Sequence, residues 1–218
     1  MTTVYVPRDS SSRSVGADQV AAAIELEAAR LGATVEVVRN GSRGMMWLEP
    51  LVEVVTAHGR VAYGPVTPDD VAGLFAAGFL EGGTHELGHG VTDQIPWLAE
   101  QDRLTFSRVG VIDPLSTQDY QAHGGLVALR RALAMTPEQI CDAVTESGLR
   151  GRGGAGFPVG VKWRTVLDAP GSPKFVTCNA DEGDSGTFAD RMRPYGAGRH
   201  DPRSRNRRRP GPLARTCV

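Results

Sequence analysis

Apolar positions along the first eighty residues switch between two periods. Val4-Tyr5-Val6 reads as a short strand. Val20, Ile24, Ala28 and Leu31 then share one helical face, which Gly32 closes. Thr34 to Val38, Leu51 to Val55 and Arg60 to Tyr63 read as three further strands, the last two joined by the turn Ala57-His58-Gly59. Thr67, Pro68 and Asp69 open a helix that buries Val71, Leu74 and Phe75. From 81 to 94 the chain is rich in glycine and polar residues, which predicts a linker and a domain boundary. Thr136, Pro137 and Gln139 form a capping box ahead of a helix carrying Ile140 and Val144 on one face, stopped by Gly148. A glycine-rich stretch follows, in which Phe157-Pro158 disfavours an immediate helix. Phe175 to Cys178 reads as a buried strand, and ordinary core packing accounts for Trp163 and Phe175.

The chain of 218 residues, 40% of them hydrophobic, can build one full domain or two small ones. Its formal charge of -1 conceals an asymmetry. Arg193 onward holds eight Arg against one Asp, whereas 16 basic and 24 acidic residues precede it. That last stretch, 193–218, lacks apolar periodicity and reads as a disordered tail. Either it is a basic arm for nucleic acid or anionic lipid, or it is an out-of-frame reading of a GC-rich gene; its Arg, Pro, Gly and Ala content favours the second. No nucleic-acid partner is expected. Three scattered Cys (Cys141, Cys178, Cys217) form no disulfide framework. Met1 to Arg13 has no apolar core, and the longest apolar run, Val71 to Leu80, is half of a membrane span. A cytoplasmic, membrane-free protein is the expectation.

Two stretches carry candidate chemistry. The glycines of 148–160 offer bare backbone N–H groups beside Arg150, Arg152 and Lys162, which suits an anion. Gly151-x-Gly153-x-x-Gly156 matches the dinucleotide fingerprint, but a helix precedes it where a Rossmann turn needs a strand. A flexible linker would carry Ser rather than Arg, Phe and Trp. The second stretch, Cys178-Asn179-Ala180-Asp181-Glu182-Gly183-Asp184, gathers an amide and three carboxylates after an apolar run. It could fix the polar rim of a cofactor, or Asn179 and Asp181 could be satisfied turn residues. His85-Glu86-Leu87-Gly88-His89 matches the zinc-protease pattern, with His123 as a conceivable third ligand. Gly82, Gly83, Gly88 and Gly90 oppose the helix this chemistry needs.

The segments SGLRGRGGAGFPVGVKW and CNADEGDSGTFADRM resemble the flavin- and NADH-binding subunit of respiratory complex I and its diaphorase relatives. The likeness runs from about Ile95 to Met192 and includes Asp113-Pro114-Leu115 and Tyr120-x-x-x-Gly124-Gly125. Complex I members carry Glu-Pro where this chain has Asp184-Ser185, and the GDSGTFADRM form most resembles the beta subunit of NAD-dependent formate dehydrogenase. The resemblance implies FMN and NAD as cofactors, with Gly151, Arg152, Gly153, Gly154, Ala155 and Gly156 passing close to both. It implies Phe157 as an aromatic platform for the dinucleotide and Lys162 on flavin polar atoms. It places Asn179 and Asp181 on the ribityl chain and ring edge, Glu182 near the hydride-transfer locus as the catalytic residue, and Asp184 toward the nicotinamide. The implied partners are a two-iron-cluster thioredoxin-like subunit and a molybdenum/iron–sulfur catalytic subunit. The family's four-iron cluster has no ligands here, so an incomplete copy is implied.

The expected architecture is therefore α/β. A thioredoxin-like domain over 3–80, whose β-α-β, β-β-α order is that of the fold, precedes the first part of a flavin domain over 95–192. The first domain contains no Cys and cannot hold a two-iron cluster. Its Arg39-Asn40-Gly41-Ser42-Arg43-Gly44 loop is either part of a docking domain that lost the metal or a solvated turn. A non-catalytic binding or assembly module is the alternative function.

Overall fold

The computed structural model describes residues 1–152 and 154–175. They fall into two compact units, Met1–His123 and the stretch from Gly124 onward.

The first unit is built on a five-stranded sheet with the order β2-β1-β3-β4-β5. Its strands are β1 (Thr2–Tyr5), β2 (Val35–Val38), β3 (Val52–Thr56), β4 (Gly59–Tyr63) and β5 (Gly88–Val91). β1 and β2 run parallel because a helix, α2 (Ala17–Leu31), makes the crossover between them; every other pair is antiparallel. This order and these directions are those of the thioredoxin-like fold. A short helix, α1 (Ser10–Ser14), precedes α2, and α3 (Val71–Ala76) follows β4.

Alternation along the strands separates two cores. Val4, Val52, Val54 and Tyr63 point to one face, where Val20 and Ile24 of α2 and Leu74 of α3 cover them. Leu51 and Ala62 belong to a second cluster with Met45, Leu48 and Leu98. Leu98 comes from α4 (Pro96–Ala99). The stop at Gly32 is a left-handed residue with φ +67°, and Ala33 closes back on the Ala28 carbonyl at 2.9 Å. Leu31, assigned by periodicity to the buried stripe, is half exposed because α2 ends as it turns away from the sheet. The Thr67 N-cap forms a capping box with Asp70, whose carboxyl the Thr67 hydroxyl and N–H hold below its ordinary range.

The segment read as a linker, 81–94, contributes β5, which pairs with the free edge of β4. Past it the same unit continues to His123 and includes α5 (Thr117–Ala122). The second unit contains α6 (Val127–Ala132), α7 (Pro137–Glu146) and α8 (Val159–Asp168). Thr136 and Gln139 form the expected capping box of α7. Cys141 is its fully buried residue, with Ile140 and Val144 half-buried beside it.

Candidate functional site

The glycine-rich loop connects α7 to α8, which pack on each other. Gly160 is the residue that allows this: a Cβ there would stand 2.7 Å from the Thr145 Cα. Arg164 of α8 pairs with Asp142 of α7 across the same contact.

Gly148 ends α7 with φ +65°. The chain then runs out and back as a narrow ribbon. The Gly151 N–H donates to the Phe157 carbonyl at 2.8 Å, and the Val159 N–H to that of Leu149 at 2.9 Å. The tip of the ribbon contains Arg152, Gly154 and Ala155, all exposed. Gly154 (φ +100°) and Gly156 (φ +58°) make the return, a backbone that side-chain-bearing residues rarely adopt. A Cβ on Gly154 would meet nothing within 4 Å, so its backbone faces open space. Arg150 lies against Gly156, Phe157 is 55% exposed at the ribbon's root, and Lys162 is exposed in the first turn of α8. An exposed backbone tip, three cations, an aromatic ring and a helix N-terminus together suit a flat, anionic ligand.

α8 starts directly after Phe157-Pro158, against the sequence expectation. Pro restricts the residue before it, and Phe157 takes up that restriction in the ribbon while Pro158 serves as the N-cap. The glycine fingerprint is thus followed by a helix but still preceded by one, so a Rossmann turn remains excluded. Phe175 is 83% exposed rather than packed in a core, and Trp163 is half-buried. Gly153, Asn179, Asp181, Glu182 and Asp184 lie outside the described residues, as do 176–178 of the anticipated strand.

The zinc-protease geometry is not met. His85 and Glu86 lie in a turn and His89 on β5, so the two His do not share a helical face. The His89 ring bonds the Gly64 carbonyl at 2.8 Å, and His85 Nδ1 accepts the Leu87 N–H.

Sequence reasoning missed a second polar cluster. The 39–44 loop, considered as a solvated turn, is buried from Asn40 to Arg43. Arg43 donates to Glu53 at 2.8 Å, with the two side chains 4% and 1% exposed. Arg60 approaches the same carboxylate at 3.8 Å and stacks over the Tyr5 ring at 3.4 Å. Asn40 and Arg60 also donate to the carbonyls of Gly110 and Val111, both at 2.6 Å, which straps residues 110–111 onto the sheet. No short-range pattern announces a pair ten residues apart that meets only across the sheet's end.

Residues 144–195 match the family model of the Nuo51 FMN-binding domain. The chain has homologues among the F-type chains of NADH-quinone oxidoreductases and the subunits of NAD-reducing hydrogenases. It is 55% identical over 85 residues to the NADH-quinone oxidoreductase F 2 chain of Rhizobium meliloti, covering 38% of this chain and 20% of that one. To the NADP-reducing hydrogenase subunit HndC of Solidesulfovibrio fructosivorans it is 49% identical over 92 residues, 42% of this chain and 19% of the relative. To the HoxS subunit alpha of the NAD-reducing hydrogenase of Cupriavidus necator it is 53% identical over 64 residues, 29% and 11% of the two chains. The chain thus spans about a fifth or less of the length of these relatives. Among solved structures, a thioredoxin-like 2Fe-2S ferredoxin from Aquifex aeolicus is 22% identical with a TM-score of 0.35, over 41% of this chain and 99% of that one. Among the described residues no helix is long and apolar enough to cross a membrane.

Proposed function

We propose that this chain is part of a flavoprotein subunit that passes electrons between NAD(H) and iron–sulfur centres through FMN, of the formate dehydrogenase type. The observation that carries the reading is the match of 144–195 to an FMN-binding domain, with a glycine ribbon inside that span whose tip is open and flanked by cations.

The residues present fit the cofactor. Gly154 leaves its backbone uncovered, so a flat ring can approach without meeting a side chain. Arg152 and Lys162 provide positive charge for phosphates, and Phe157 offers a ring face for stacking. FMN, when bound, supplies the exchange between a hydride's electron pair and single electrons. The chain's own task is then positional, since hydride transfer needs the reacting atoms about 3–3.5 Å apart. The ribbon would set the floor of the site. Asn179 and Asp181 would hold the ribityl and ring edge, Glu182 would stand at the transfer locus, and Asp184 would face the nicotinamide. The implied partners are iron–sulfur and molybdenum-bearing subunits, as the relatives named for hydrogenases suggest multi-subunit assemblies.

The test is affinity isolation of the tagged chain from its native cells, followed by activity measurements on the isolate. Formate-dependent NAD reduction lost in a Lys162→Ala strain supports the assignment. Hydrogen-dependent reduction or NADH:quinone activity would move it to another branch, and absence of all three would favour an assembly module.

A further inference from the structure

The β1–α1 loop and the 39–44 loop meet around two carboxylates that behave differently. Asp9 is saturated with donors. It accepts the N–H groups of Ser11 at 2.9 Å, Ser12 at 3.2 Å and Ser42 at 2.8 Å, and the Ser12 hydroxyl at 3.1 Å. Glu49 is 6% exposed, and one of its oxygens accepts the Leu51 N–H at 3.1 Å. Its other oxygen, Oε1, is buried with no hydrogen-bond partner. The Ser12 and Ser42 hydroxyls stand against the same carboxyl, and Asp9 is the charged group that acts on it.

Counting protons decides the state of this cluster. The Ser12 hydroxyl has one proton, for which Asp9, at 3.1 Å, and Glu49 compete. Ser42 accepts the Gly44 N–H at 3.0 Å and keeps one proton to give. An ionised Glu49 would therefore compete with Asp9 for the Ser12 proton, beside a like charge and with Oε1 buried and unpartnered. No counter-charge comes from the adjoining cations, because Arg43 is engaged by Glu53 and Asp93, and Arg39 by Asp18. A protonated Glu49 removes the like-charge repulsion and brings a donor of its own to the cluster.

We propose that Glu49 is a proton-operated clasp: its uncharged carboxyl closes the 39–44 loop against the β1–α1 loop, and loss of that proton loosens the loop. Burial, reinforced by Asp9, pushes the Glu49 carboxyl up from 4.5 to about 7, against the lowering effect of Ser42, Leu51 and Ser12. The unfolded chain releases this proton near pH 4.5 and the folded chain near 7. Stability from this group is complete below the first value, is lost as pH rises between them and is constant above the second. The folding equilibrium constant falls roughly 300-fold over that window, for a single proton and a gap of two and a half units.

The experiment uses the whole chain. Carbon-13 NMR of the glutamate side-chain carboxyls, with Glu49→Gln identifying the signal, is expected to show one titrating near pH 7. Urea unfolding from pH 4.5 to 8 is expected to lose a large part of its decline with pH in Glu49→Gln, whose amide imitates the protonated acid. Amide exchange at Ser42 and Gly44, corrected for base catalysis, should quicken above pH 7 in the wild type only. A Glu49 signal titrating below pH 5.5, or an unchanged pH slope in the variant, would overturn the clasp. So would stabilisation at pH 7 by sodium, magnesium or calcium that depends on Glu49, since the cluster would then hold a cation. If the variant does not fold, the wild-type signal is assigned by elimination with the other glutamates substituted, and its midpoint decides.

Discussion

Gly160 of α8 and Thr145 of α7 touch where no side chain can stand between them. A Cβ on Gly160 would reach the Thr145 side chain and lie 2.7 Å from its Cα. The contact sets the spacing of the two helices and therefore the root of the glycine ribbon between them. Gly160→Ala is expected to force the helices apart and destabilise the second unit by about 1–3 kcal/mol. Thr145→Ala should not restore it, because the backbone clash remains. Amide exchange along α7 and α8 checks both outcomes, and full protection in Gly160→Ala would contradict them.

In the first unit, Arg43 and Glu53 form a buried pair. Arg43→Ala would leave Glu53 with Arg60 at 3.8 Å as its nearest cation. The expected loss is about 3–5 kcal/mol, the cost of stranding a buried charge. Arg43→Met combined with Glu53→Leu should lose less, since no carboxylate is stranded and Arg60 keeps the carbonyls of Gly110 and Val111. Urea unfolding of the two variants provides the comparison.

The capping box at Thr67 predicts a smaller effect with a defined pH sign. Asp70 accepts the Thr67 N–H and hydroxyl, at 2.7 and 2.6 Å, and these bonds hold its carboxyl below its ordinary value of 3.8. Its contribution is therefore present above that value and lost as pH falls through the lower, folded one. Thr67→Ala should cost about 1 kcal/mol at neutral pH. The difference from wild type should shrink below pH 4, as followed by thermal unfolding.

Much of the fold was legible because it rests on local signals. The period-2 strands, the Gly32 stop, the helix start at Thr67 and the box at Thr136 each act within a few residues. β5 was not legible, since Gly88-His89-Gly90 lacks the alternation of a half-buried strand and owes its place to the open edge of β4. The burial of Arg43 was hidden for a related reason: its partner is defined by topology rather than spacing. At the candidate site, the loop was read as leaving a helix, as it does, but the prompt start of α8 was missed. Proline restricts the residue before it, Phe157, and leaves the chain from Val159 free to start a helix.

The last prediction separates binding from folding within the ribbon. Gly154 has φ +100°, so any L-residue there is strained, by about 1–2 kcal/mol, and lost binding in Gly154→Ala could come from a distorted loop. Gly151 is different. It has no left-handed φ, and a Cβ on it would meet the Phe157 carbonyl at 3.6 Å, an ordinary contact. Gly151→Ala should therefore leave the unfolding midpoint unchanged. If a flavin or dinucleotide lies against this backbone, the added methyl stands in its path, and FMN or NADH affinity in the assembled subunit should fall at least about tenfold, a 1.4 kcal/mol effect. Fluorescence titration with FMN and with NADH, beside thermal unfolding of the same sample, reads both quantities. Unchanged stability with lost affinity places the ligand on the ribbon. Unchanged affinity for both ligands would remove Gly151 from the site and shift the binding surface toward the Gly154 tip.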